Sequence, residues 1–111
     1  MAEFIEITWT CGSIDEARKV CRYLVQERHV ACAQIIPWVE SVYMWDNQIE
    51  TSQESKVVLK TRFEKFETVR QIIEDNASYD VPEILWKTIE GGNEEYLEWL
   101  VESTPDFKAT T

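Results

Sequence analysis

Hydrophobic and polar positions alternate from the start of the chain. In residues 4–10, FIEITWT, Ile5, Ile7 and Trp9 fall on one side and Glu6 and Thr8 on the other, the period-two pattern of a half-buried strand. Past Cys11 and Gly12 the period changes. Ile14, Ala17, Val20, Cys21, Leu24 and Val25 recur at intervals of three and four, predicting an amphipathic helix that ends near Arg28 and His29. Ser13, with Glu16 three residues on, has the spacing of a capping box at its start. Residues 30–45 are rich in β-branched and aromatic side chains and contain Pro37, which predicts a long, bent strand. Asp46-Asn47 supplies turn chemistry, and residues 48–61 return as the second arm of a long hairpin. Thr61 and Glu64 repeat the capping-box spacing ahead of a second helix carrying Phe63, Phe66, Val69, Ile72 and Ile73 and ending before Ser78. Pro82 forces Val81 to be extended, and residues 84–89 form a last strand. After Gly91-Gly92, Asn93 is the expected N-cap of a terminal helix with Tyr96, Leu97, Trp99 and Leu100 on its apolar side.

Strand, helix, strand, strand, helix, strand is the split βαβ order. It predicts an α+β, ferredoxin-like sandwich with four strands in one sheet and the two longer helices on one face. The other face needs a cover. Trp9, Trp38, Trp45 and Trp86 are spread along the strands, and self-association is the simplest way to bury so much aromatic surface. A single domain over residues 1–104, with a loose polar tail at 105–111, accounts for the whole chain of 111 residues.

Charge narrows the partners. Asp and Glu number 21 against 11 Lys and Arg, a net charge of -10, so a phosphate backbone is repelled and nucleic acid is not expected. No apolar run reaches the roughly 18 residues of a membrane span, and no basic leader precedes an apolar segment. A cytoplasmic protein without membrane contact is expected. Cys11, Cys21 and Cys32 are an odd number of cysteines with no CxxC pair, which indicates neither a disulfide framework nor a zinc ribbon.

Five ordered stretches resemble the CutA, or divalent-cation tolerance, family: Cys11 at the end of the first strand, Ala31-Cys32-Ala33-Gln34-Ile35-Ile36-Pro37, Ser41-Val42-Tyr43-Met44-Trp45 with Ile49-Glu50, Tyr79-Asp80-Val81-Pro82-Glu83-Ile84, and Gly92 through Leu100. Together they reach over about residues 4 to 102. The resemblance implies a homotrimer in which the long hairpin packs on neighbouring subunits, and a link to copper or another divalent cation. It also implies histidine ligands just before the Val-Pro-Glu motif, where this chain has Asn76-Ala77-Ser78-Tyr79. Cys11 is the one metal ligand that carries over.

Cys11 precedes a capped helix, whose dipole favours a thiolate able to bind soft copper(I); packing at a strand end is the plainer role. His29, the sole histidine, lies at the far end of the first helix, roughly 20 Å away at 1.5 Å per residue, and reads as an exposed helix-terminal residue. No catalytic residue is assigned, and no enzyme is expected. Tyr43, Trp45, Lys60, Tyr79 and Glu83 combine aromatic rings, a cation and a carboxylate near strand ends. They predict either an intersubunit cleft for a small ligand or the glue of a trimer. Three functions follow: a non-enzymatic trimer of metal tolerance with weak copper binding, a small-ligand-binding signalling module, or a scaffold for another protein.

Overall fold

A computed structural model describes residues 3–106. The elements follow the predicted order: β1 (Phe4–Cys11), α1 (Ile14–Gln26), β2 (Cys32–Trp45), β3 (Gln48–Arg62), a 3-10 turn (Phe63–Lys65) leading into α2 (Phe66–Asn76), β4 (Glu83–Ile89) and α3 (Glu94–Ser103). The strands lie side by side as β2-β3-β1-β4, every neighbouring pair antiparallel. Each βαβ crossover therefore skips one strand, which makes this the ferredoxin-like split βαβ fold.

Register explains the core. Ile7 lies opposite Leu59 and Trp86, and Trp9 opposite Val57 and Ile84, so one face of three strands presents apolar side chains together. Ile5, Ile7, Trp9 and Cys11 are completely buried there, under Ala17, Val20, Cys21 and Leu24 of α1 and Val69 and Ile73 of α2. Each large side chain so buried contributes roughly 1.5–3 kcal/mol. Trp9 thus belongs to the subunit's own core and leaves no surface for a neighbour. Trp38 and Trp45 remain exposed.

Helix ends depart from the spacing rules in informative ways. Ser13 does cap α1, its Oγ accepting the Glu16 N–H at 3.1 Å. Glu16 does not reciprocate: its carboxylate accepts the Ser78 N–H at 3.2 Å, tying α1 to the loop before β4. The helix stops at Gln26, short of the expected end. Arg28 turns left-handed at φ 63°, and the His29 and Val30 N–H groups fold back on the Leu24 carbonyl. The second capping box does not form. Thr61 falls on the core side of β3, fully buried, and its hydroxyl donates to the His29 carbonyl at 2.8 Å; a 3-10 turn opens the helix instead. Asn93 occupies its N-cap position without a side-chain cap bond.

The long hairpin bends where expected. Pairing slips between Ile36 and Val39, around Pro37, which has no N–H to offer a ladder, and Ser55 Oγ donates to the Pro37 carbonyl at 2.8 Å. At the tip, Asp46 and Asn47 both have positive φ, 51° and 63°, the two-residue turn that matches strand twist. α3 covers one end of the sheet's second face, with Lys60 Nζ 5.9 Å from the Tyr96 ring centre. Arg62, buried beside it, donates to the Thr104 hydroxyl at 3.1 Å, to the Thr104 carbonyl, and to Asp106 at 2.8 Å. Lys65 donates to the Pro105 carbonyl at 2.6 Å. The segment expected to be loose from residue 105 is therefore held through Asp106; residues 107–111 of that tail lie outside the described residues.

Candidate functional site

Cys11 ends β1 directly before the capped turn into α1, as its sequence position indicates. Its surroundings work against the expected thiolate. The side chain is wholly buried, its thiol donates to the Ser13 carbonyl at 3.6 Å, and burial, reinforced by Glu16, pushes its pKa up to about 11. Desolvation outweighs the helix dipole. Among the described residues no three His, Cys, Asp or Glu side chains stand together as a metal site. Cys21 is buried as well and is pushed up to about 12. His29 is half-buried rather than exposed, its pKa lowered by burial and then by Lys65.

A cleft of about 390 Å³ opens where the hairpin leaves the sheet. Thr10 at the end of β1, Glu54 on β3 and Glu83 at the start of β4 form one wall, Ser41 and Tyr43 of β2 another, and Tyr79 of the α2–β4 loop closes the end. Hydrogen bonds hold the wall: Thr10 Oγ1 donates to Glu83 at 3.0 Å, and the Tyr79 hydroxyl donates to Glu54 at 2.9 Å. Tyr43 shares a 2.7 Å hydrogen bond with Ser52. Tyr79 reaches this place because Gly12 has no side chain. A Cβ on Gly12 would lie 3.1 Å from Tyr79 Cε1 and 3.3 Å from its hydroxyl oxygen. Burial, with the bond to Glu54 next, pushes the Tyr79 phenol up to about 12, so it remains a donor at neutral pH.

Three of the five residues expected to share a cleft, Tyr43, Tyr79 and Glu83, do line it. Lys60 does not. It stands opposite Cys32 and Glu6, six residues from Glu54 along β3, about 20 Å at 3.3 Å per residue. Trp45 sits at the hairpin tip opposite Gln48, 65% exposed. Thr10, Ser41 and Glu54 were not expected. Their period-two positions put them on strand faces, but which strands abut is a matter of register. With Lys60 elsewhere, the described residues that line the cleft offer carboxylates and hydroxyls, and the nearest cation along β3 is Lys56, opposite Thr10 in the β1–β3 ladder. The cleft's chemistry suits a positively charged guest.

Fold and cleft together define a small ferredoxin-like α+β protein with an overlong central hairpin. The family model described as CutA1 divalent ion tolerance protein matches residues 5–103, and the chain belongs to that family. It is 38% identical over 95 residues to the chloroplastic protein CutA of Arabidopsis thaliana, covering 86% of this chain and 52% of that one. The chain thus spans about half the length of that plant relative. The divalent-cation tolerance protein CutA of Thermus thermophilus is 37% identical over 86% of this chain and 92% of its own. The crystal structure of CutA1 from Oryza sativa superimposes with a TM-score of 0.90 at 32% identity, over 95% and 96% of the two chains. A structure from Archaeoglobus fulgidus, named as a periplasmic divalent cation tolerance protein, matches at 0.84 and 34%, over 95% and 100%. No helix among the described residues is long and apolar enough to cross a membrane.

Proposed function

We propose that this chain acts in divalent-metal tolerance as one subunit of a cytoplasmic homotrimer, without catalysing a reaction, and that its cleft associates weakly with a divalent cation. The observation that carries the oligomer is the hairpin. Val42, Met44, Trp45 and Ile49 are each more than 60% exposed, consecutive apolar surface that a lone subunit leaves in water. Light scattering tests it: a mass near three times the 13.1 kDa chain is expected, and a mass of one chain overturns it.

For the cation, Glu54 and Glu83 supply oxygen donors, which suit hard divalent ions and copper(II) better than copper(I). Isothermal titration with copper(II), manganese and calcium on the wild type, Glu83→Gln and Cys11→Ala separates the sites. Loss of uptake in Glu83→Gln supports the cleft. Loss confined to Cys11→Ala returns the metal to the thiol.

A second reading rests on the same cleft's size and rings. About 390 Å³ is within the range of small-molecule sites, and Tyr43 and Tyr79 beside Glu83 favour an organic amine. A thermal-shift screen of amines and nucleotides tests it, and a flat screen removes it.

A further inference from the structure

β2 is an edge strand, paired only with β3 among the described residues. Beside the part of it that precedes the Pro37 bulge runs a groove of about 620 Å³ between the strand and α1. Its floor is apolar, formed by Cys21, Val25, Ala33 and Ile35, and Arg18 and Arg22 stand along its rim one helical turn apart. These arginines are conspicuous in a chain of net charge -10. Arg22 makes no ion pair or side-chain hydrogen bond among the described residues, and Arg18 reaches only its exposed neighbour Asp15, at 3.9 Å. Loose exposed pairs of that kind contribute little, about 0–1 kcal/mol, so both guanidinium groups are available to an incoming carboxylate.

We propose that this groove is a docking site for an acidic, extended segment of a partner protein, added as a further strand beside Ala33–Ile35. The free backbone edge supplies hydrogen bonds. Alternate side chains of the guest enter the apolar floor, and its outward carboxylates meet Arg18 and Arg22, which prefer planar, bidentate acceptors. Charge decides the kind of partner: the two cations select an acidic strand and reject a basic one. The exposed apolar residues assigned above to self-association lie on the hairpin beyond the bulge, so the groove is a separate surface.

The probe is a fluorescein-labelled peptide of roughly nine residues alternating valine and glutamate, long enough to span a strand. Three controls accompany it: a peptide with lysine for glutamate, a peptide N-methylated at alternate backbone positions, and the Arg18→Glu/Arg22→Glu protein. Fluorescence anisotropy should show binding of the acidic peptide that weakens with salt, a loss of about tenfold or more in the double variant, and little binding of the lysine or methylated peptides. Equal affinity for wild type and double variant overturns the proposal. So does undiminished binding of the methylated peptide, which removes strand addition. The double variant is also run by light scattering. A change in subunit number there assigns the groove to a second copy of this chain and overturns a foreign partner.

Discussion

The two ends of the molecule use the same kinds of residue for opposite purposes. Around β1, Trp9 and its neighbours are sealed between sheet and helices, while on the hairpin Trp38, Val42, Met44, Trp45 and Ile49 stand in water. Both segments alternate, and both carry tryptophan. What differs is the cover: α1 and α2 lie over one face of the sheet, and among the described residues none covers the hairpin tip, while the longest dimension is 50 Å. Aromatic content therefore indicates that a surface must be buried, and the layout of helices decides whether the chain buries it alone.

Substitution at the two ends should break this symmetry most sharply. Trp9→Ala should cost about 3–5 kcal/mol in urea denaturation, whereas Trp45→Ala should leave subunit stability within about 0.5 kcal/mol and instead lower the assembled mass in light scattering. An intact trimer in Trp45→Ala and its Ile49→Ala companion would deny the hairpin its role. Arg62→Leu should cost about 3 kcal/mol, because the Thr104 hydroxyl and carbonyl it satisfies are buried. Asp106→Asn, at the exposed end of the same network, should cost much less. Ser13→Ala should cost about 1 kcal/mol through loss of the one side-chain cap on α1, while Thr61→Ser, whose hydroxyl bonds the His29 carbonyl rather than a helix amide, should leave the start of α2 unchanged in amide exchange.

Thiol chemistry gives the finest contrast. Cys32 is half-buried, while Cys11 and Cys21 are buried, so iodoacetamide at pH 8 should modify Cys32 alone in the folded protein and all three after denaturation. The same burial makes stability depend on pH. The folded thiols hold their protons to about 11 and about 12, against an ordinary value of 9.0, so the fold retains protons that the unfolded chain has released. The contribution is complete below about pH 9 and is lost as pH rises through those values. Replacing both residues with alanine should flatten the alkaline limb of a denaturation series.

Much of the fold was legible because its signals are local. The period-two run of β1, the three-and-four spacing of α1, Pro37 in the bent strand and Asp46-Asn47 at the turn each depend on neighbours within a few residues. Capping was legible only in part. Ser13 is the sole expected cap whose side chain bonds a helix amide, since Thr61 faces the core and Glu16 is drawn to Ser78, 62 positions away. The cleft was half legible. Tyr79 and Glu83 flank one proline turn, but Thr10 and Glu54 join them only when β1 settles between β3 and β4. Lys60 looked like a partner because it stands near a strand terminus, yet it lies near the far end of β3, and strand rise carries it to the other end of the sheet.

Periodicity, turn residues and charge balance determined by themselves the order of elements and the acidic balance of the chain, because each is written in residue types at short spacing; the family resemblance came separately, from five ordered motif stretches. Tertiary structure alone decided that the Cys11 side chain is buried, that Tyr79 lies against Gly12, and that Glu54 and Glu83 line one cleft. Desolvation, register and contact between distant strands are sums over neighbours that a linear chain does not specify until it is folded.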